Sequence, residues 1–217
     1  MKLREFSLWA YKLELNDSRA FTLENRCICS HFERHFESLE TDNIYRVVIK
    51  LSEFDPRDGT TEESSSVLKY YDKFDFDHFY KLKGQERKEF LLNVLYTSLL
   101  KVCDLKNWDT ELFKQANIRV IEDKFDNSYE VIAKNNRARS MVASLIAQHT
   151  EEQFNLVIIV KNNQGKIIFE KQVLSEEPDE FLFNSQIGNL KWASNGVLTY
   201  IAKDNSVVET MNINSNG

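Results

Sequence analysis

Glu89–Cys103, EFLLNVLYTSLLKVC, is the stretch whose reading decides the fold. Phe90, Leu91, Leu92, Val94, Leu95, Tyr96, Leu99, Leu100, Val102 and Cys103 leave only Asn93, Thr97, Ser98 and Lys101 polar between the ends. At the helical period, Asn93, Thr97 and Lys101 fall on one narrow stripe, which Glu86 and Glu89 extend toward the N-terminus. A surface helix needs one apolar face, whereas this one needs cover on about three sides. It therefore predicts a core built around it.

The flanking chain suggests what supplies that cover. A shorter helix, capped by Asn107 or Asp109, is expected over Leu112 and Phe113. Upstream, Phe6–Leu15, Ile44–Leu51 and Val67–Phe76 read as strands, the second rich in β-branched residues. From Asn117 onward short strands dominate. Ile118–Ile121, Tyr129–Ala133, Met141–Ala147, Phe154–Val160, Lys166–Leu174, Phe181–Phe183, Leu190–Ala193, Val197–Ala202 and Val207–Ile213 are the segments. Asn162–Gly165, Asn195-Gly196 and Asp204-Asn205 are hairpin signals between the later ones. The expected class is α+β: a large antiparallel β-meander in the C-terminal half, curled into a partial barrel or sandwich, packed with one long apolar helix and one short helix. The chain is read as one domain, 1–217, with a natural subdivision into an α/β part, 1–116, and an antiparallel β part, 117–217.

Composition narrows the function. Twenty-eight Lys and Arg against 34 Asp and Glu give a net charge of −6, which disfavours nucleic acid and anionic membranes as partners. Three cysteines do not make a disulfide framework and suit a reducing, cytoplasmic setting. The longest strongly apolar run, Leu156–Val160, is far too short to span a bilayer. No Gly-rich phosphate loop, nucleophile elbow or His-Glu-x-x-His motif occurs.

Three constellations stand out. Cys27-Ile28-Cys29-Ser30-His31-Phe32-Glu33-Arg34-His35 groups Cys27, Cys29, His31 and His35 on one side of a strand, and Cys27, His31 and His35 on one side of a helix. These are soft donors of the type zinc takes, although the spacing is not a common ligand pattern. The same segment also carries an ordinary apolar helical stripe, Ile28, Phe32, Phe36 and Leu39. Asp75, Asp77 and His78 offer a carboxylate–imidazole set for a metal-dependent hydrolase. Ser52–Ser66 reads as a long exposed loop in which Glu53, Asp55, Asp58, Glu62 and Glu63 supply negative charge. Tyr70 and Tyr71 beside it, with Asp75 and Asp77, would provide aromatic anchors and further acids if exposed.

The expected function is a non-catalytic protein-binding module. The type is an acidic inhibitor or immunity protein that neutralises a basic partner such as a bacterial nuclease toxin. The metal-dependent hydrolase is the alternative. No cofactor is expected beyond a zinc ion at the Cys–His cluster, and the protein is expected to be a monomer or homodimer.

Overall fold

The computed structural model describes residues 1–11 and 14–213. The chain is α+β and divides into two compact units, Met1–Asn127 and Ser128–Gly217.

In the first unit, β1 (Lys2–Leu3) pairs antiparallel with β3 (Leu39–Glu40). The main sheet has the order β2-β4-β6-β5, from Glu5–Ala10, Arg46–Ser52, Val67–Lys73 and Thr61–Ser64. β2, β4 and β6 run parallel, and β5 returns antiparallel on β6. The segment expected as the strand Phe6–Leu15 is thus a strand only to Ala10; Lys12 and Leu13 lie outside the described residues. The helix α1, Leu15–His35, follows it. The Cys–His segment is therefore helical, and α1 is the crossover that parallel strands require. The Ser52–Ser66 excursion is built as well. Ser65 and Ser66 take φ of 51° and 66°, the backbone of a two-residue hairpin turn joining β5 to β6.

α2 (Phe76–Lys81), α3 (Gly84–Lys106) and α4 (Glu111–Glu122) complete the unit. Phe6, Leu8, Val47, Ile49, Leu51, Leu68 and Tyr70 alternate onto one sheet face and share a single core with α1, α3 and α4. Leu91, Leu92, Leu95, Leu99, Val102 and Cys103 form the buried side of α3, while Asn93 and Lys101 are exposed and Thr97 is half-buried. Ser98 is also buried, its hydroxyl donating to Asp72 at 2.7 Å. Ile118–Ile121, expected as a strand, is the last turn of α4. Phe113, Ala116 and Val120 make a buried stripe at helical spacing, so packing overrides the β-branched preference.

The second unit has two antiparallel sheets. One is the meander β7-β8-β9-β10 (Ser128–Asn135, Met141–His149, Phe154–Asn162, Ile167–Glu176). The other is β11-β12-β13 (Asn189–Trp192, Val197–Ile201, Val207–Asn212). Ala143, Leu145 and Ala147 of β8 and Phe154, Leu156, Ile158 and Val160 of β9 share one core with Leu198, Tyr200 and Met211, which makes a small sandwich. Phe181–Phe183 is not a strand but part of α5 (Glu180–Gln186). Its Phe183 is fully buried and stacked on Phe154 at 3.5 Å between centroids, an anchoring contact that outweighs the aromatic preference for strands.

Replacing Leu95 with Ala should cost about 2–5 kcal/mol in urea unfolding, because its fully buried side chain is central to α3. A loss under about 1 kcal/mol would place it outside the core.

Candidate functional site

His31 and His35 stand one turn apart on the last turns of α1, so their rings share a face. Asp123 caps the C-terminus of α4 and meets both. Asp123 Oδ2 lies 3.1 Å from His31 Nε2 and 2.7 Å from His35 Nε2. Among the described residues, these three make the group of metal-ligating type whose donor atoms all fall within 4.8 Å of one another.

A Schellman turn sets Asp123 in place. The Lys124 and Phe125 amides donate to the Ile121 and Val120 carbonyls, and both residues are left-handed, at φ 53° and 61°. Phe125 is buried against the core that includes Val120, the apolar contact this motif favours. Glycine is the usual occupant of the Lys124 position.

Burial pushes the His31 imidazole down to about 4, against the opposing hydrogen bond to Asp123; Arg34 and His35 add to the depression. The His31 hydrogen bond, then that of His35, holds the Asp123 carboxyl below its usual range. His31 Nδ1 is buried without a hydrogen-bond partner, and so is Asn127 Oδ1. Asn127 donates through Nδ2 to the Cys27 carbonyl at 2.7 Å and to Ser30 Oγ at 2.9 Å, on the turn of α1 before His31.

Cys27 and Cys29 do not join this group. Both are buried, with Cys27 Sγ 3.5 Å from the Glu24 carbonyl and Cys29 Sγ 3.6 Å from Asn25 Oδ1. Of the four expected donors the structure thus gathers the two histidines, and it adds Asp123, which lies 88 residues beyond His35. Only the fold brings it there.

The expected acidic surface is largely engaged within the protein. Asp55 is buried, and its carboxylate takes Arg57 Nε at 3.0 Å. Arg57 also donates to the Tyr71 and Tyr11 hydroxyls at 2.8 Å each and lies over the Tyr71 ring. Asp58 accepts from the Asp55 amide at 3.3 Å. The Tyr71 hydroxyl and Lys69 ammonium hold Glu62 below the usual carboxylate range. Glu63 pairs with Lys106. Tyr70 and Tyr71 are buried rather than displayed.

Of the expected acids, Glu53, Asp75 and Asp77 remain exposed. Glu53, Lys73, Phe74, Asp75 and Asp77 line an open depression of about 570 Å³. Phe54, which follows Glu53, is 70 % exposed. Asp75 Oδ1 caps α2 by accepting from the His78 amide at 2.8 Å, and the His78 ring packs edge-on to Phe90. Asp75, Asp77 and His78 therefore do not draw together as a metal-ligating group. In the second unit a cavity of about 630 Å³ is lined by residues that include Lys134, Arg137, Lys191 and Trp192.

No protein-family model, curated protein or solved structure matches this chain. No helix among the described residues is long and apolar enough to cross a membrane.

Two outcomes follow from this geometry. Lys124→Gly should raise stability by about 1 kcal/mol by relieving the left-handed backbone, read as a higher urea midpoint; a lower midpoint would contradict the Schellman assignment. His31 favours the neutral form in the folded state, so its contribution is complete above about pH 6.5 and is lost as pH falls toward 4. In chelator-treated protein, His31→Gln should remove a pH-dependent loss on the order of 3 kcal/mol across that window. Parallel pH profiles for the two proteins would show that His31 titrates normally.

Proposed function

We propose that the chain is a non-catalytic protein-binding module, an acidic inhibitor of the immunity type that neutralises a basic partner such as a nuclease toxin. The observation that carries this reading is Phe54, a large apolar side chain 70 % exposed, next to Glu53 in a segment that also borders Asp75 and Asp77. An exposed aromatic next to an acid is the kind of anchor from which interfaces draw much of their energy, the aromatic filling a pocket and nearby charges selecting a cationic surface. Glu53, Asp75 and Asp77 supply those charges, with Lys73 the single cation lining the same depression. The recess is open rather than enclosing, which suits a protruding side chain of another protein better than a small molecule held on all sides.

The test is capture of partners from native lysate on immobilised protein at low and at high salt, with each captured species then purified and titrated directly. A basic partner should be held at low salt and released at high salt. Phe54→Ala should weaken its binding at least tenfold, and Glu53→Lys with Asp77→Lys should do so chiefly by slowing association. A partner whose affinity is unchanged in both variants would move the interface elsewhere.

A further inference from the structure

We propose that His31 Nε2, His35 Nε2 and the Asp123 carboxylate form a three-ligand site for a divalent transition-metal ion of the zinc class. Three features of the cluster argue for it, and each is separate from the acidic patch around Phe54.

Ligand chemistry is the first. Two imidazoles and one carboxylate are a donor set that zinc accepts in sites with a fourth, open position, and that other first-row divalent ions share. Two histidines four residues apart on a helix aim their rings to one side, and a third ligand from another element then closes the set. Here α4 provides it.

Distance is the second. Around a tetrahedral ion with bonds of roughly 2.0–2.1 Å, neighbouring donors sit about 3.3 Å apart. The two Nε2–Oδ2 separations are 3.1 and 2.7 Å. Those two separations need to open by only about 0.2 and 0.6 Å, and all three donor atoms already lie within 4.8 Å of one another, with the rings 5.1 Å apart between centroids. Opening is feasible because the His35 and Asp123 side chains are 27 % and 45 % exposed, which also gives an ion and a water ligand a route in from solvent.

Charge is the third. Both imidazoles converge on a single carboxylate oxygen, and no lysine or arginine bonds that carboxylate among the described residues. With neutral imidazoles the cluster carries one net negative charge at a point where three lone-pair donors meet. A divalent cation satisfies that arrangement and replaces two hydrogen bonds to one oxygen with three ligand bonds. His31 Nδ1 would then carry the ring proton. Asn127 is anchored through Nδ2 on the adjacent turn of α1, and its Oδ1, likewise buried without a partner, is an acceptor of the kind a metal-bound histidine uses behind it. The motif lacks the glutamate that follows the first histidine in zinc proteases: Phe32 occupies that position, and Glu33 is committed to Arg26 and the Phe6 amide. The site is therefore assigned to binding alone.

The experiment is calorimetric titration of the full, chelator-stripped chain with zinc, with cobalt substitution read by absorbance. The expected result is one ion per chain at micromolar affinity or better, and cobalt bands without a thiolate charge-transfer feature. His35→Gln and Asp123→Asn each replace a partly exposed side chain, and folding is verified by circular dichroism. Each should weaken zinc at least tenfold and abolish the zinc-dependent rise in Tm, while Cys27→Ser should leave both unchanged. Absence of binding at 100-fold excess over protein (on the order of 1 mM zinc) would overturn the assignment. So would binding that survives both ligand variants, or a thiolate band that Cys27→Ser removes.

Discussion

Two strands that run the same way cannot be joined by a hairpin, and in the first unit that rule applies to β2 and β4. The chain must leave one end of the sheet and return to the other, and α1 is the return path. Its position also settles how the sheet edge is protected. β2 is an edge strand, with Phe6 and Leu8 turning backbone groups away from β4. Glu33 accepts the Phe6 amide at 2.6 Å, Arg26 donates to the Phe6 carbonyl at 3.0 Å, and Asn25 donates to the Leu8 carbonyl at 3.2 Å. Arg26 and Glu33 also pair with each other. The crossover helix thus caps an edge that would otherwise present unpaired groups to another chain.

This arrangement accounts for the polar character of α1. A helix packed on a sheet needs an apolar stripe, which Phe21, Ile28, Cys29 and Phe32 provide. Asn25, Ser30 and His31 are nevertheless buried beside that stripe. Burying such groups is costly unless they are hydrogen-bonded, and Asn25 and Ser30 are. His31 is only half satisfied, through Nε2 toward Asp123. The incomplete satisfaction falls at the place where α1 and α4 meet, not at random along the helix.

The legibility of the fold in the sequence followed the range of the contacts that hold each element. The antiparallel strands of the second unit could be read because their alternation and their Asn-Gly and Asn-Gln-Gly turns are local signals, and Gly165 sits at φ 78° as such a turn requires. The burial of α3 was legible for the same reason, since Leu95 and Leu99 carry it in their own spacing. α1 was not, because Cys27-Ile28-Cys29 alternates like a strand while Ile28, Phe32 and Phe36 repeat like a helix, and only the parallel pairing of β2 with β4 decides between them. The same holds at the site. His31 and His35 are neighbours by helical period, whereas Asp123 arrives through packing of α4 on α1, and no local pattern near residue 123 announces it.

Net charge is a poor guide to where the molecule offers charge, and the first unit illustrates why. The acids of residues 53–77 number eight, a dense anionic run in the sequence. In three dimensions Asp55 is locked to Arg57, Glu62 to Lys69 and Tyr71, Glu63 to Lys106, and Asp72 to Lys101 and Ser98. Opposite charges recruited from α3 and from within the sheet neutralise most of the field at contact distance, where Coulomb attraction is strongest and screening weakest. What escapes this pairing includes Glu53, next to the exposed Phe54 in the chain, and Asp77, which lines the same depression as Glu53. An interface there would draw its affinity from one desolvated aromatic ring and use its few acids for orientation. The distinction is physical: a diffuse negative field steers any basic protein, while an aromatic side chain beside a small acidic rim demands a partner with a matching pocket.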